Sequence, residues 1–406
     1  MRMKNILSIV LVMVLLASAV PLAVMPAAAA GIPGDTDGND ELTENELANT
    51  ILSYILEEGH LELEDLRDAA HIYAYWDGKP RTIVDTADRT VTIYRPIKRI
   101  ITLTSDSAEG VRILGEVDNI VGVTDTIKVD GKEYFPELED IPSVGTWKEF
   151  DYEKIVEIAE DETDIIVPDI IVISYVYKVL GVEEGLSSFE NIAVVGLDLY
   201  KSGTLEDEII KLGYIIEREG KAQDFIDWSH EKEDTVRSVV DELEKPKVYI
   251  EKGISTGTGE LGTYGKGSAL DELCKIAGGD NIAKDIEEKY PKVDWEWVIS
   301  PDQNPDIIVK SEPKTFLELT NEAEAMREEV MNRPDAGNVS AIKNGSVYIH
   351  IHKITYGLES IVGLTYWAKI FHPDTSLDPE AVYREYLVFQ GLEYSEDKMV
   401  VYPEVI

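Results

Sequence analysis

Residues 35–46 read DTDGNDELTENE. Oxygen-bearing groups recur at alternate positions, namely Asp35, Asp37, Asn39, the Glu41 carbonyl and Thr43, and Glu46 closes the twelve-residue span. That is the ligand spacing of a loop that curls around one Ca2+, a hard cation that takes oxygen donors. The template asks for glycine at the sixth position. Asp40 stands there instead, with Gly38 two places earlier to supply the turn. The rest of the chain shows no HExxH, CxxC or Ser–His–Asp pattern, and GTYGKGS (262–268) has the wrong gaps for a phosphate-binding P-loop. Nothing in the motifs points to an enzyme. Cys274 is the single cysteine, so no intramolecular disulfide can form.

Charge narrows the partners. The 406 residues include 79 acids against 38 lysines and arginines, a net charge of −41. Such a surface repels phosphate backbones and anionic headgroups, which excludes nucleic acid and membrane-surface binding. At the N-terminus, Arg2 and Lys4 precede an apolar run from Ile6 to Val20, and AAAAG offers a cleavage site near Ala30. Residues 1–30 read as an export signal, so the mature protein is expected outside the cytoplasm, at a cell surface or in a periplasm-like space, as a monomer.

The calcium-type loop runs into ELANTILSYILEEG, with Leu47, Ile51, Leu52, Ile55 and Leu56 at helical spacing. After Gly59, LELEDLRDAAHIYAYWDG repeats that spacing with Leu63, Leu66, Ala70 and Tyr73. This loop–helix–turn–helix resembles a dockerin-type, EF-hand-like module whose second loop has decayed. The resemblance implies a calcium-stabilised tether at 31–80 for a cohesin-like or cell-surface partner.

From Lys79 the texture changes to strands. RTIVD and RTVTIY suggest a hairpin, and RIITLT (99–104) is a continuous apolar run of the kind buried in parallel sheets. A unit then recurs: strand, helix, DNI, an acidic–aromatic–Glu triplet opening a helix, and the strand PDIIV. The triplets are Asp151-Tyr152-Glu153 and Asp294-Trp295-Glu296; PDIIV occurs at 168–172 and 305–309. The fold class is therefore α/β, two Rossmann-like lobes with mainly parallel sheets. The lobes are expected at 81–203 and 246–372, with connecting helices at 204–245 and an extension at 373–406. Apolar residues from Ala222 to Leu243 predict one long, rigid helix over about 220–244.

Ligands of open α/β sheets sit beyond the carboxyl ends of the strands. The residues there are Ser105 and Asp106 after RIITLT, Trp147 before the first triplet, Tyr175 after the first PDIIV, Tyr264 after KVYIEKG and its glycine-rich loop, and His352 after GSVYIHIHK. Aromatics mixed with hydroxyls and a few charges suit a bulky, flat or ring-bearing ligand.

The stretches RPIKRIITLTSDSAEGVRILGEVDNIVGV, VGTWKEFDYEKIVEI, PDIIVIS, GSALDELCKIAGGDNIA and KVDWEWVISPDQNPDIIV, in that order over about 81–372, resemble the solute-binding proteins of iron–siderophore, haem and cobalamin ABC importers. The resemblance implies that an iron chelate or corrinoid binds between the lobes and is delivered to an ABC permease and its ATPase. It further implies that Glu153 and Glu296, one per lobe, dock onto permease arginines. Two features depart from the family: the loop after GVTD has Thr126 and Ile127 where an aromatic is common, and there is no lipobox. The competing reading is a calcium-dependent surface scaffold or adhesion protein that works through residues 31–80.

Overall fold

The computed structural model describes residues 31–405 apart from 58–60, 130, 161–166, 190, 202, 313–318, 320 and 396–397. The export signal expected at 1–30, and all but the last residue of the DETDIIV stretch that lengthens the first repeat, lie outside the described residues.

The alternating, β-branched stretches after Lys79 form an antiparallel hairpin, β1 (Arg81–Val84) and β2 (Thr90–Ile93). The N-lobe sheet follows, from β3 (Arg99–Thr102), β4 (Ile120–Val123), β5 (Ile170–Ser174) and β6 (Ile192–Gly196), all parallel in the order β4-β3-β5-β6. Every residue of β5 is buried, as a parallel strand covered on both faces requires. The C-lobe contributes β7 (Lys247–Glu251), β8 (Leu261–Gly262), β9 (Asp280–Asn281), β10 (Lys292–Val293), β11 (Ile307–Glu312), β12 (Val347–Ile351) and β13 (Val401–Tyr402). Its main sheet runs β13-β12-β11-β7-β9, with only β13 antiparallel, while β8 and β10 pair in a separate ribbon.

The pairing repeats the same unit in both lobes. β4-β3-β5-β6 and β9-β7-β11-β12 have the same order and sense, with a PDIIV strand third in each and a DNI strand first. Both triplets open helices, Tyr152–Ala159 and Trp295–Val298.

Two helices, Leu205–Ile215 and Glu219–Val240, join the lobes. The second has 22 residues, about 33 Å at 1.5 Å per residue, and stops four residues short of the expected end. Its Phe225 and Trp228 rings pack against Phe389 of a helix at Pro379–Phe389, and Glu385 of that helix accepts from Trp228 Nε1 at 2.7 Å and pairs with Lys232 at 2.8 Å. The C-terminal extension is thus strapped to the spine, and its β13 extends the C-lobe sheet.

Residues 31–80 form a loop and two packed helices, Glu44–Ile55 and Leu63–Tyr75, as expected. They have no core of their own: Ile32, Leu42, Ala69, Ile72 and Trp76 are continuous with the apolar core of the main body. Ion pairs ring this junction, Arg95 with Asp65 at 2.7 Å and Lys98 with Asp68 at 3.0 Å, and His71 Nε2 lies 2.7 Å from a Glu217 carboxylate oxygen. The module is docked on the N-lobe and the spine.

Candidate functional site

Thr104, the last residue before the helix Ser105–Ile113, caps it by accepting from Ser107 N at 3.1 Å. This cap turns the chain sharply after β3 and sets Asp106 in the first helical turn, where the helix dipole favours a carboxylate. Asp106 serves two neighbours. One oxygen accepts from the Tyr175 hydroxyl at 3.2 Å, the other from the Lys353 ammonium of the C-lobe at 3.2 Å. Tyr175 stacks on Tyr177 with ring centres 5.2 Å apart and meets Tyr200 edge-on at 5.2 Å. Three tyrosines at the ends of β5 and β6 therefore make the N-lobe wall.

The C-lobe wall mirrors this chemistry. Tyr264 is buried and accepts from the Tyr356 hydroxyl at 2.9 Å; Tyr290 meets it edge-on at 6.1 Å. The Lys252 ammonium lies 5.3 Å from the Tyr264 ring centre and 4.5 Å from that of Tyr290, within cation–π range. No carboxylate lies within ion-pairing distance of Lys252 among the described residues, and burial lowers its pKa. His352 packs on Tyr356 at 4.1 Å. Burial, and then the charge of Lys353, hold the His352 imidazole down at about 4, so it is neutral at pH 7. Burial, then the Asp198 carboxylate, push the Tyr200 phenol up.

Below the tyrosines a buried polar floor joins the lobes. Lys353 pairs with Asp106 and with Glu109, which is fully buried on the N-lobe helix and also accepts from the hydroxyls of Tyr134 and Tyr386. Arg112 donates to Gln390 at 2.7 Å. Tyr386 and Gln390 belong to the C-terminal extension, which thereby completes the junction. Gly357, at φ +57°, donates its N–H to the Tyr200 carbonyl at 3.2 Å, and a Cβ there would stand 2.9 Å from the Leu199 carbonyl oxygen. Only glycine lets the two backbones approach so closely in that conformation.

Of the residues picked from sequence, Asp106, Tyr175, Tyr264 and His352 come together around this cleft. Ser105 is half-buried at the start of the Asp106 helix. Trp147 stands apart, 49% exposed, on a loop tied to the Tyr177 helix by Lys178 donating to the Lys148 carbonyl at 3.4 Å. His350, alternating with His352 in sequence, is a fully buried strand residue whose Nδ1 contacts the Ile351 carbonyl at 2.9 Å. The motifs in the sequence do not single out Tyr200, Tyr290, Lys252 or Glu109. Tyr200 and Lys252 follow β6 and β7, so the strand-end rule could have found them; Glu109 sits mid-helix with no sequence signal.

Glu153 and Glu296 are exposed in the first turns of their helices, and neither makes an ion pair among the described residues. In the N-terminal loop, carboxylate oxygens of Asp35, Asp37 and Glu46 lie within 4.8 Å of one another. Asp40 takes φ +60°, so it adopts the left-handed turn that glycine usually supplies. The Asn39 side chain accepts from Glu41 N at 2.8 Å, and Thr43 caps the helix, bonded to Glu46.

Residues 100–351, more than half of the chain, match the family model described as periplasmic binding protein. The chain belongs to this family. It is a solute-binding protein of the class that serves ABC transporters, a binding rather than an enzymatic fold. The match leaves residues 31–80 outside it, so the dockerin resemblance gains no support. Solved periplasmic binding proteins share the fold. FepB from Veillonella parvula superposes with a TM-score of 0.63 at 22% identity, covering 79% of this chain and 99% of that one. The molybdate-bound MolA of Haemophilus influenzae gives 0.60 at 18%, covering 78% and 99%. A protein of the Fe3+-hydroxamate transport system of Saccharomonospora viridis gives 0.52 at 23%, covering 72% and 99%. A search of curated proteins finds no match to the sequence. The family places the protein outside the cytoplasm, and no described helix is long and apolar enough to cross a membrane.

Proposed function

We propose that this periplasmic binding protein carries an anionic iron chelate, a siderophore or haem, in the tyrosine-lined cleft and hands it to an ABC permease. Lys252 carries this reading. Its ammonium is half-buried against two tyrosine rings, with no carboxylate at ion-pairing distance among the described residues and only the more distant charge of Glu288 opposing its desolvation, and a desolvated cation without an ion-pair partner is stabilised by an incoming anion. The other cleft charges are already matched: Lys353 by Asp106 and Glu109, Lys201 by Asp198. The tyrosine faces suit catechol or porphyrin rings. Relatives named for Fe3+-hydroxamate transport and for bound molybdate agree with an iron chelate and with an anion. A corrinoid would use the same aromatic walls but gains little from Lys252.

Glu153 and Glu296, exposed and unpaired on equivalent helices, are proposed as the carboxylates that meet permease arginines. The N-terminal loop is proposed to bind Ca2+ through Asp35, Asp37 and Glu46: ligands about 2.4 Å from one ion stand at most about 5 Å apart, which the carboxylate spacing satisfies. The ion would brace a module already docked on the N-lobe.

The test is a fluorescence titration of the purified protein with ferric tris-catecholate, haemin, cyanocobalamin and molybdate. The expected result is quenching by an anionic chelate at about micromolar Kd or tighter, weakened at least tenfold by Lys252→Met. Quenching by cyanocobalamin alone would replace the anionic reading with a corrinoid one, and silence from every probe would overturn the proposal.

A further inference from the structure

The side chain of Lys252 lies flat across β8. A Cβ built on Gly262 would stand 2.9 Å from Lys252 Cδ, 3.3 Å from its Cγ and 3.4 Å from its Cβ, and these are the three atoms nearest to it. Two carbons rest at about 3.5–4.0 Å, so any side chain at 262 must push the lysine stem off the strand. The Gly262 φ lies outside the left-handed region, so its backbone conformation is open to any residue. What calls for glycine at 262 is the lysine lying over it.

The backbone around this contact is closed on itself. Lys252 N donates to the Gly262 carbonyl at 2.9 Å, and Ser255 N donates to the Lys252 carbonyl at 2.9 Å, which makes a turn over Gly253 and Ile254. Gly262 N then donates to Ser255 Oγ at 2.8 Å. Three hydrogen bonds thus tie Lys252, Ser255 and Gly262 into one ring, and Ser255 is buried. A buried ion cluster anchors the ring from beneath. Lys310, in the middle of β11, donates to the Ser255 carbonyl at 2.6 Å and pairs with Glu251 at 2.7 Å; Glu251 pairs in turn with Arg333 at 2.7 Å. Glu329 accepts from Gly257 N at 2.9 Å and pairs with Arg333 at 2.7 Å. The ring cannot shift without leaving one of these buried charges unpaired.

Such a holder has a purpose in a chain this acidic. With 79 acids against 38 lysines and arginines, a lysine able to swing finds a carboxylate. Lys266, farther along the same loop, does so, exposed and paired with Glu287 at 2.8 Å. The Glu288 charge lies near enough to favour the charged form of Lys252, yet the Lys252 ammonium is kept over the Tyr264 and Tyr290 rings instead.

We propose that Gly262 is a specificity-determining residue of the cleft: by leaving room for the Lys252 stem on a strand anchored through Ser255 and Lys310, it keeps the ammonium in the cleft and makes the site select an anionic ligand over a neutral one of similar shape. The selectivity rests on the reading of Lys252 proposed above; the positioning of Lys252 by Gly262 stands on the geometry alone.

The test has two readouts on the full chain. The first needs no ligand. Reductive methylation with isotope-labelled formaldehyde gives each lysine an NMR signal, and Lys252→Met identifies the one in question. Wild-type Lys252 is expected to titrate below the ordinary lysine range, because burial opposes its charge. In Gly262→Ala the signal is expected to move up into that range, with thermal unfolding within about 2 °C of the wild type. The second readout is fluorescence titration with anionic ferric tris-catecholate and neutral ferric tris-hydroxamate. Gly262→Ala is expected to weaken the catecholate about tenfold and the hydroxamate less than about twofold. Adding Lys252→Met to Gly262→Ala is expected to change neither further, since both act on one ammonium. A Lys252 titration unmoved by Gly262→Ala overturns the inference, and so does equal weakening of both probes. A wild type that binds neither probe removes the anionic-ligand reading and the selectivity with it, while the lysine titration still decides whether Gly262 positions Lys252.

Discussion

Glu359 offers a sharp test of the buried floor. It is fully buried at the start of the helix Ser360–Phe371, and neither carboxylate oxygen has a hydrogen-bond partner. Burial, then the neighbouring Glu109 carboxylate, push its pKa well above the usual 4.5; Lys353 and Arg112 oppose the shift without overcoming it. The native state therefore holds a proton that the unfolded chain has released at neutral pH. For an acid shifted upward, stability is unaffected below the unfolded pKa and is lost progressively as pH rises above it, by about 1.4 kcal/mol per unit until the folded pKa is reached. From 4.5 to pH 7 the ceiling is about 3 kcal/mol. Glu359→Gln keeps the shape and removes the titration. Its stability relative to wild type should be flat near pH 4.5 and climb steadily to at most that ceiling at pH 7. Denaturant unfolding at half-unit pH steps reads the difference. A variant that is less stable at pH 7 by about 3–5 kcal/mol would mean that Glu359 is ionised and paired, and would refute the reasoning; so would a difference that does not change with pH.

Other outcomes follow from the same structure. Lys353→Met removes the cation facing buried Glu109 and should cost about 3–5 kcal/mol in denaturant unfolding at pH 7; adding Glu109→Gln should recover more than half of it. A chelator should lower the wild-type unfolding temperature by the calcium linkage, about 2.7 kcal/mol at a hundredfold excess of ion over Kd. Glu46→Gln should abolish that response, and a wild type indifferent to chelator would remove the calcium assignment. The double variant Glu153→Ala, Glu296→Ala should bind probe within about twofold of wild type yet fail to support uptake in cells carrying the cognate permease; unchanged uptake would dismiss the docking role.

The two lobes were legible in the sequence because their signals are local and duplicated. PDIIV and DNI mark strands three and one of each sheet, and the acidic–aromatic–Glu triplets mark equivalent helices. The strand-end rule found Asp106, Tyr175 and His352 for the same reason. What was not legible depends on contacts far apart in sequence. Glu109 meets Tyr386 across 277 positions and Lys353 across the lobe junction, and nothing in SAEGVRILGEV distinguishes it from a solvent-facing helix acid. The role of the extension at 373–406 is not legible because its partners, Trp228 and Glu109, lie on elements that only the fold brings near. The sequence of 31–80 predicts its helices correctly. Its docking depends on Asp65 and Asp68 meeting Arg95 and Lys98, pairs hidden among many surface charges.

The polar floor has a geometric use that its energetics alone do not explain. A buried ion network gains little stability over well-packed apolar residues and costs desolvation, yet Asp106, Glu109, Lys353 and Arg112 are kept beneath the cleft. Asp106 shows why. One of its oxygens accepts from Lys353, which joins the lobes, and the other from Tyr175, which lines the candidate cleft. The rotamer that satisfies the junction is thus the one that aims the wall tyrosine. Gly357 adds a direct backbone bond between lobes at Tyr200, the next tyrosine of that wall. With the C-terminal extension tied to both the floor and the spine, the distance between the aromatic walls is set before any ligand arrives. The proposed ligand would then be selected by its fit to a preset gap, and the free energy that a hinge closure would consume would remain available for affinity.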